Sequence, residues 1–265
     1  MKFDKQYTKY WASTVTKSVD GTTIAGVNEV KNILHSLRVG SHIKTLDLGC
    51  SIGRMHESLA AHSNDVYGVD IDSYAVEQAS LRPYKEVRQG SAGKIDFDTG
   101  FFDFVFCWAV FDVVDHALGL AEMNRVLKGA GKLLITGKND TYFDDDMLAF
   151  KAEKNAFLKG FPNHFTDLVA LLNNLPSLGF SLDRLLLFPR RGDLGNLEFA
   201  NQSYEEGEAY HGYEYLIFCH KIGECNSNTL TEEPLDNRFS KTATNMAIKA
   251  GFKGPEEFFS VIGID

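Results

Sequence analysis

The sequence predicts an α/β fold with a doubly wound, mostly parallel sheet and helices on both of its faces. Strand-like and helix-like segments alternate between residues 44 and 138, which is typical of right-handed strand–helix–strand units. In the first unit, "KTLDLGCSIGRMHESLA", a short apolar strand passes through two glycines into a helical pattern. Ligands of such sheets bind at the carboxyl ends of the strands, so we expect the functional residues there.

Short apolar runs predict seven strands. Their bounds are 44–49, 65–70, 85–89, 103–108, 131–137, 180–187 and 213–221. A helix is expected over residues 164–178, between the fifth and sixth strands. The connection between the last two strands is longer than an ordinary turn, and such connections often carry functional residues.

Three parts of the chain are expected. Residues 1–40 are predicted to form a helical segment that either covers the site or packs on the sheet. Residues 41–222 form the main domain, with a ligand-binding half at 41–138 and a substrate-side half at 139–222. The polar composition of residues 223–265 predicts a linker, which is followed by a short helical tail with a helix start at "GPEE".

Composition limits the class of protein and its partners. The 265 residues are 44% hydrophobic and 24% charged, which is ordinary for a globular protein with a full core. A net charge of -9 argues against nucleic acid as a partner, because that binding depends on basic residues. No apolar run is long enough to cross a membrane, and the N-terminus lacks the apolar core of a signal peptide, so we expect a cytoplasmic protein. The four cysteines lack zinc-site spacing, and no metal is expected.

The glycine turn after the first strand indicates the kind of ligand. Its frame is Asp47-x-Gly49-x-Ser51-x-Gly53, which differs from the G-x-G-x-x-G pattern of dinucleotide sites. A carboxylate two residues before the first glycine would repel a pyrophosphate but would attract an ammonium or sulfonium group. A ligand with a cationic centre therefore fits this turn better than a dinucleotide.

The residues here resemble the class I S-adenosylmethionine-dependent methyltransferases. "DLGCSIG" is similar to their first motif, D/E-x-G-x-G-x-G, with Ser51 in the place of the middle glycine. The similarity continues in order through "VYGVDID", "GSAGKIDFDTGFFDFVFCW" and "EMNRVLKGAGKLLITG". The resemblance implies a Rossmann-like sheet of seven strands with an antiparallel last strand. It also implies S-adenosylmethionine as cofactor and S-adenosylhomocysteine as product.

The resemblance also implies which residues bind the cofactor. They are Asp47, Gly49, Cys50, Gly53, Asp70, Ile71, Ser91, Ala92 and Cys107. Asp47 would hold the methionine end, Asp70 would accept hydrogen bonds from both ribose hydroxyls, and Ile71 would pack on the adenine. Ser91 departs from the acidic residue that is usual in the family, so the adenine amino edge would rely on the Ala92 N–H. For Cys107, core packing is the alternative.

A hydroxyl acceptor would need a general base outside these motifs. His164, in "FPNHFTD", has a suitable ordinary pKa and follows the fifth strand, where the family places substrate groups. The alternative is that this segment only opens a helix, with Asn163 or Thr166 as its cap. His116 and His211 are the rival histidines.

Six residues are candidates for contact with the substrate. They are Asn163, Asp167, Arg190, Arg191, Tyr10 and Trp11. The two arginines suit a carboxylate or phosphate, or else form a solvated ion-pair cluster beside Asp193. Tyr10 and Trp11 would cover a cationic sulfonium, or else form the apolar face of a helix.

The sequence thus predicts methyl transfer to a small polar metabolite, with transfer to oxygen favoured. Polar groups in "FPNHFTD" and "FPRRGD" suggest a sugar-bearing or anionic acceptor. One alternative is methylation of a protein side chain. Another is a nucleotide-binding regulatory module without transferase activity.

Overall fold

The computed structural model describes residues 27–41, 43–161, 163–200, 210–225 and 236–262. The strands are β1 Lys44–Leu48, β2 Asp65–Asp70, β3 Glu86–Gln89, β4 Phe102–Cys107, β5 Leu127–Asn139, β6 Phe165–Thr166, β7 Phe180–Phe188, β8 Glu214–Lys221 and β9 Asp236–Asn237. The helices are α1 Val27–Ser36, α2 His56–Ala60, α3 Ser73–Ala79, α4 His116–Val126, α5 Met147–Leu158, α6 Leu168–Asn174, α7 Lys241–Lys249 and α8 Pro255–Val261.

One sheet contains all of these strands. Its order is β3-β2-β1-β4-β5-β8-β7, with β1 to β5 parallel and β8 antiparallel to both of its neighbours. The predicted doubly wound sheet with an antiparallel last strand is confirmed. The count of seven strands is wrong, since the described residues contain nine. The additional strands β6 and β9 have two residues each, and β6 pairs with the end of β5.

The predicted strand bounds agree with the structure to within one residue, except for β5, which spans Leu127–Asn139 where residues 131–137 were predicted. This strand begins at Leu127, before the predicted residue 131, because its pairing with β4 is interrupted by a bulge. Phe102 pairs with Leu127 and Phe104 pairs with Lys132, so the segment between these two pairs bulges out of register. Ala130 lies in the bulge with a positive φ of 60°.

The helix predicted over residues 164–178 starts later than expected. Phe165 and Thr166 are extended because they pair with the end of β5. Asp167 is the N-cap, and its side chain accepts a 3.0 Å hydrogen bond from the Ala170 N–H. The helix α6 therefore begins at Leu168, and neither Asn163 nor Thr166 is its cap.

Helices cover the sheet on both faces. Successive side chains of β4 pack alternately against the helices of one face and of the other. Val105 and Cys107 belong to one buried cluster, together with Leu120 of α4. Phe104 and Phe106 point to the opposite face and belong to a second cluster, which includes residues of α1 and α2. A parallel sheet that is buried on both faces explains the nearly continuous apolar sequence of its central strands.

The C-terminal helices α7 and α8 pack on α5 through a third apolar cluster. It contains Phe150 of α5, Ala243 and Ala247 of α7, and Phe258 and Phe259 of α8. The strand β9, which precedes these helices, pairs antiparallel with β6. This part of the chain therefore contacts the substrate-side half. Within the described residues, no helix is long and apolar enough to span a bilayer.

Candidate functional site

Two glycines and a serine shape the turn after β1. Gly49 and Gly53 have φ angles of 75° and 79°, in the region that favours glycine. A Cβ atom at Gly49 would lie 2.4 Å from Cγ2 of Val110, and one at Gly53 would lie 2.6 Å from Cδ of Arg82. Ser51 has a positive φ of 48° as well. The serine therefore keeps the backbone conformation expected of a glycine in the middle of this motif.

The side chain of Asp70 connects the ends of β1 and β2. Its Oδ2 accepts a 2.8 Å hydrogen bond from the Ser51 N–H, and its Oδ1 accepts a 3.0 Å bond from the Asp72 N–H. A carboxylate can accept about four hydrogen bonds, so the Asp70 side chain can still accept from a ligand. Burial raises the pKa of Asp70, while the backbone N–H donors lower it.

Ile71 and Asp72 follow directly on this edge of the sheet. Ile71 keeps 43% of its surface exposed, which leaves an apolar face for a flat ligand. Asp72 caps α3, because its Oδ1 accepts a 3.1 Å hydrogen bond from the Tyr74 N–H. Its Oδ2 is buried and has no partner among the described residues. Buried acceptor atoms usually have a hydrogen-bond partner. A bound ligand could supply the donor for this oxygen.

Asp47 is a buried carboxyl group at the end of β1. The Tyr84 hydroxyl donates a 2.6 Å hydrogen bond to its Oδ2. Burial raises the pKa of Asp47 to about 7, with the Tyr84 hydrogen bond lowering it and the charge of Asp70 raising it. A cation close to Asp47 would favour its ionised form.

Four more of the expected cofactor residues lie at the carboxyl ends of the strands. Cys50 is buried in the turn after β1. Ser91 and Ala92 follow β3 in a tight turn, which is closed by a 3.0 Å hydrogen bond from the Lys94 N–H to the Ser91 carbonyl. Cys107 is fully buried in the core cluster beneath α4, as the core-packing alternative predicts. Burial raises the pKa of its thiol.

These groups fit S-adenosylmethionine. The carboxyl groups of Asp47, Asp70 and Asp72 all lie at one edge of the sheet, and the glycine turn brings the backbone close to them. The cofactor offers matching groups: a sulfonium and an ammonium, a pair of ribose hydroxyls and a flat adenine. The carboxyl oxygens of these three residues can accept hydrogen bonds from such donors. When ionised, they would repel the negative charge of a pyrophosphate.

Comparison with known proteins identifies the domain. Residues 46–135 match a family model described as a methyltransferase domain. They form a class I S-adenosylmethionine-dependent methyltransferase domain. The predicted enzyme class, an S-adenosylmethionine-dependent methyltransferase, and the predicted cofactor are confirmed.

Solved methyltransferase structures share this fold. One from Thermotoga maritima is 19% identical with a TM-score of 0.56, covering 74% of this chain and 90% of that chain. One from Mesorhizobium loti is 17% identical with a TM-score of 0.53, covering 72% and 96%. The magnesium protoporphyrin IX methyltransferase from Synechocystis PCC 6803, with bound S-adenosylhomocysteine, is 15% identical with a TM-score of 0.50, covering 74% and 81%. A search of curated proteins finds no significant match.

In this methyltransferase, His164 lies beside the segment that follows β4. Its backbone N–H donates a 2.8 Å hydrogen bond to the Asp112 carbonyl. Its ring Nδ1 is hydrogen-bonded to Oδ2 of Asp236, which belongs to β9. That bond raises the pKa of His164, against the effect of burial, and the charges of Asp236, Asp115 and Asp112 raise it further. Asp236 is not among the residues predicted from the sequence, because it lies in a segment with the composition of a polar linker.

The two rival histidines have different surroundings. His116 is fully buried, with its Nε2 3.1 Å from the Phe111 carbonyl oxygen and its ring stacked on Phe111 at 4.0 Å. Its ring centroid is 5.8 Å from that of His164. His211 is exposed, and its ring lies 5.8 Å from that of Phe143. Among the three, His164 is the histidine that combines partial exposure with a carboxylate partner.

A largely buried charged pair lies next to His164, and neither of its residues was predicted to belong to the site. Lys138, at the end of β5, places its Nζ 2.5 Å from Oδ2 of Asp112 and 3.2 Å from Oδ1 of Asn163. Burial lowers the pKa of Lys138, but the charges of Asp112, Tyr213 and Glu214 raise it by more. The pKa of Lys138 therefore lies above its ordinary value. Lys138 therefore stays charged and fixes the Asn163 amide.

Other residues predicted to contact the substrate already have partners in the structure. Besides capping α6, Asp167 forms a 2.8 Å ion pair with Lys241. Arg190 binds both carboxylate oxygens of Asp145, at 2.5 and 3.2 Å, in an exposed ion pair. The exposed Arg191 donates its backbone N–H to Asp146 at 2.9 Å. Tyr10 and Trp11 lie outside the described residues.

Proposed function

We propose that the enzyme transfers the methyl group of S-adenosylmethionine to a hydroxyl of a small molecule, with His164 as the general base. The hydrogen bond between His164 and Asp236 supports the proposal most. A carboxylate on Nδ1 orients the imidazole and leaves Nε2 as the basic nitrogen. The Nε2 atom has no hydrogen-bond partner within the described parts of the chain, so it can accept a proton from an acceptor hydroxyl.

We further propose that the residues around the turn after β1 hold the cofactor. Asp47 binds the methionine end through its charge, and the turn containing Gly49, Cys50 and Gly53 lets the backbone approach the ligand. Asp70 accepts from the two ribose hydroxyls. Support for these roles comes from the buried carboxyl group of Asp47, from the hydrogen bonds that hold Asp70 in place and from the glycine contacts described above.

On the adenine side, we propose that Ile71 packs on the ring and that the Ala92 N–H and the Ser91 hydroxyl meet its edge. Cys107 contributes backbone near the methionine moiety, because its side chain is buried in the core. These positions lie at the carboxyl ends of β2, β3 and β4, where ligands of such sheets bind.

When bound, the cofactor supplies an electrophilic methyl group. The protein then has to align the acceptor oxygen, take up its proton and exclude water. His164 takes up the proton, and Asp236 stabilises the imidazolium that forms. The polar groups of "FPNHFTD" and "FPRRGD" predict a sugar-bearing or anionic acceptor, and Asp167 and Arg190 are two of the charged side chains in these segments. Both side chains are engaged in ion pairs, so that expectation loses support.

His164→Ala and His164→Gln test the proposal. An extract of metabolites is incubated with labelled cofactor, and the methylated product gives the turnover assay. We expect both variants to slow transfer about 10²- to 10⁴-fold with unchanged affinity for S-adenosylhomocysteine. His211→Ala is the matched control, since it removes an exposed histidine. Near-normal turnover per folded molecule in both His164 variants would remove this residue from the mechanism.

A further inference from the structure

An open pocket of about 360 Å³ lies between α5 and the C-terminal segment. It is lined by Glu153, Phe157, Gly160, Phe161, Asn163, His164, Arg238 and Phe239. A volume of this size is at the lower end of the range for small-molecule sites, which is about 300 to 1,000 Å³. It suits a molecule of one or two fused rings.

The charged side chains of this pocket are already paired. Glu153 accepts hydrogen bonds from the Tyr142 hydroxyl at 2.6 Å and from the Ser240 N–H and hydroxyl at 2.8 and 2.7 Å. Arg238 forms a 2.7 Å ion pair with Glu256. A ligand that relied on either charge would have to break these contacts. The pocket therefore offers little to an anion or to a sugar with several hydroxyls, each of which needs a partner when buried.

Aromatic rings provide much of the remaining wall. The rings of Phe157 and Phe239 lie 5.6 Å apart. The Arg238 guanidinium lies 5.1 Å from the Phe239 ring and 5.8 Å from the Phe157 ring. Aromatic walls of this kind bind flat apolar molecules by stacking and by edge contacts.

Asn163 and His164 form a polar part of the pocket wall. His164 hydrogen-bonds through its backbone to Asp112. Asp112 is two residues from Val110, whose side chain packs against Gly49. Two residues span at most about 7 Å. The pocket, His164 and the turn after β1 are thus joined through one short segment.

We propose that this pocket binds the methyl acceptor, and that the acceptor is a planar, largely apolar molecule with a hydroxyl at the His164 end. The inference rests on the proposed function, because it takes the reaction to be O-methylation. The acceptor oxygen forms a bond to the methyl carbon while the bond from that carbon to the sulfonium sulfur breaks. The electron pair stays on sulfur as a neutral thioether, and the hydroxyl proton passes to Nε2 of His164, from which it is released to water.

The test uses the full chain with 2-naphthol as the probe. Naphthalene, which lacks the hydroxyl, and N-acetylglucosamine serve as comparison compounds. Binding is measured by ligand-observed NMR in the presence of S-adenosylhomocysteine, and transfer is measured with labelled S-adenosylmethionine. We expect 2-naphthol to bind and to be methylated, and N-acetylglucosamine to do neither. Naphthalene should bind more weakly than 2-naphthol.

Variants of the aromatic wall locate the binding. Phe239→Ala should weaken 2-naphthol binding about tenfold or more while the affinity for S-adenosylhomocysteine stays within twofold. Phe239→Leu provides a second variant that keeps apolar volume, in case the alanine variant does not fold, and it should weaken binding as well. Phe199→Ala removes an exposed ring outside the pocket and should leave binding unchanged.

The outcomes separate this inference from the proposed function. Unchanged naphthol binding in Phe239→Leu, or no binding to the wild type, would overturn the acceptor class. Methylation of N-acetylglucosamine in place of 2-naphthol would overturn it too, while leaving O-methylation intact. If 2-naphthol binds in a Phe239-dependent way and is methylated at the same rate by His164→Ala, the pocket assignment holds and the proposed base fails.

Discussion

Replacing Asp47 by Asn should make folding stability less dependent on pH. Burial raises the pKa of Asp47 from 3.8 to about 7, so the folded protein holds this proton more tightly than the unfolded chain does. The protonated Asp47 carboxyl group stabilises the folded state fully below pH 3.8, and this stabilisation is lost as the pH rises towards 7. Each unit of pKa difference corresponds to about 1.4 kcal/mol. Between pH 5 and pH 8, Asp47 alone should therefore reduce the free energy of unfolding by about 3 kcal/mol.

Urea unfolding followed by circular dichroism, at pH 5 and pH 8, measures this effect. The quantity of interest is the difference in unfolding free energy between wild type and Asp47→Asn, because Asp70 and Glu214 also have raised pKa values and contribute in the same direction. We expect the variant to gain stability relative to the wild type by about 3 kcal/mol on going from pH 5 to pH 8. Asp98→Asn, at an exposed site, should show no such change.

Cofactor binding provides a second readout of the same group. A cationic ligand favours ionised Asp47, so S-adenosylmethionine should bind the wild type more tightly as pH rises through about 7. Proton release should accompany binding near pH 6, and calorimetry in buffers of different ionisation enthalpy detects it. An equal stability difference between wild type and Asp47→Asn at both pH values, together with no proton release, would refute the argument.

Three further changes test single interactions. Asp70→Asn should weaken S-adenosylhomocysteine binding by about 1.5 to 3 kcal/mol in calorimetry, and unchanged affinity would contradict ribose binding. Ser51→Gly should stabilise the fold by about 0.5 to 1 kcal/mol, because glycine tolerates the positive φ; a loss of stability would show that the serine side chain has a role of its own. Asp236→Asn should lower kcat about 10²-fold or more and shift the acid limb of the pH profile to lower pH, because the pKa of His164 falls without the carboxylate. A purely structural role would leave that limb in place, and Asp236→Glu should restore part of the rate.

The fold around the candidate cofactor site could be predicted from sequence because its determinants are local. A strand, a glycine turn and a helix are set by neighbouring residues, and Asp70 is placed by the parallel pairing of Asp47 with Gly68 in β2. The bounds of β1, β2 and β4 followed, to within one residue, from apolar runs in the buried centre of the sheet. The start of α6 was less predictable, since Phe165 and Thr166 are extended only because the end of β5 is there to pair with them.

The acceptor side could not be predicted, because its residues meet only through tertiary contacts. Asp236 reaches His164 because β9 pairs with β6, and each of these strands has two residues, too few to give a periodic signal. The register matters, since Phe165 pairs with Asn237 and Thr166 with Asp236, and this sets the carboxylate beside the histidine that precedes β6. The strand β9 is followed by α7 and α8, which pack on α5 through the apolar cluster around Phe258 and Phe259. This packing supports the position of Asp236 in β9. The C-terminal segment would then act as part of the acceptor site, and its docking would decide whether His164 has its carboxylate partner.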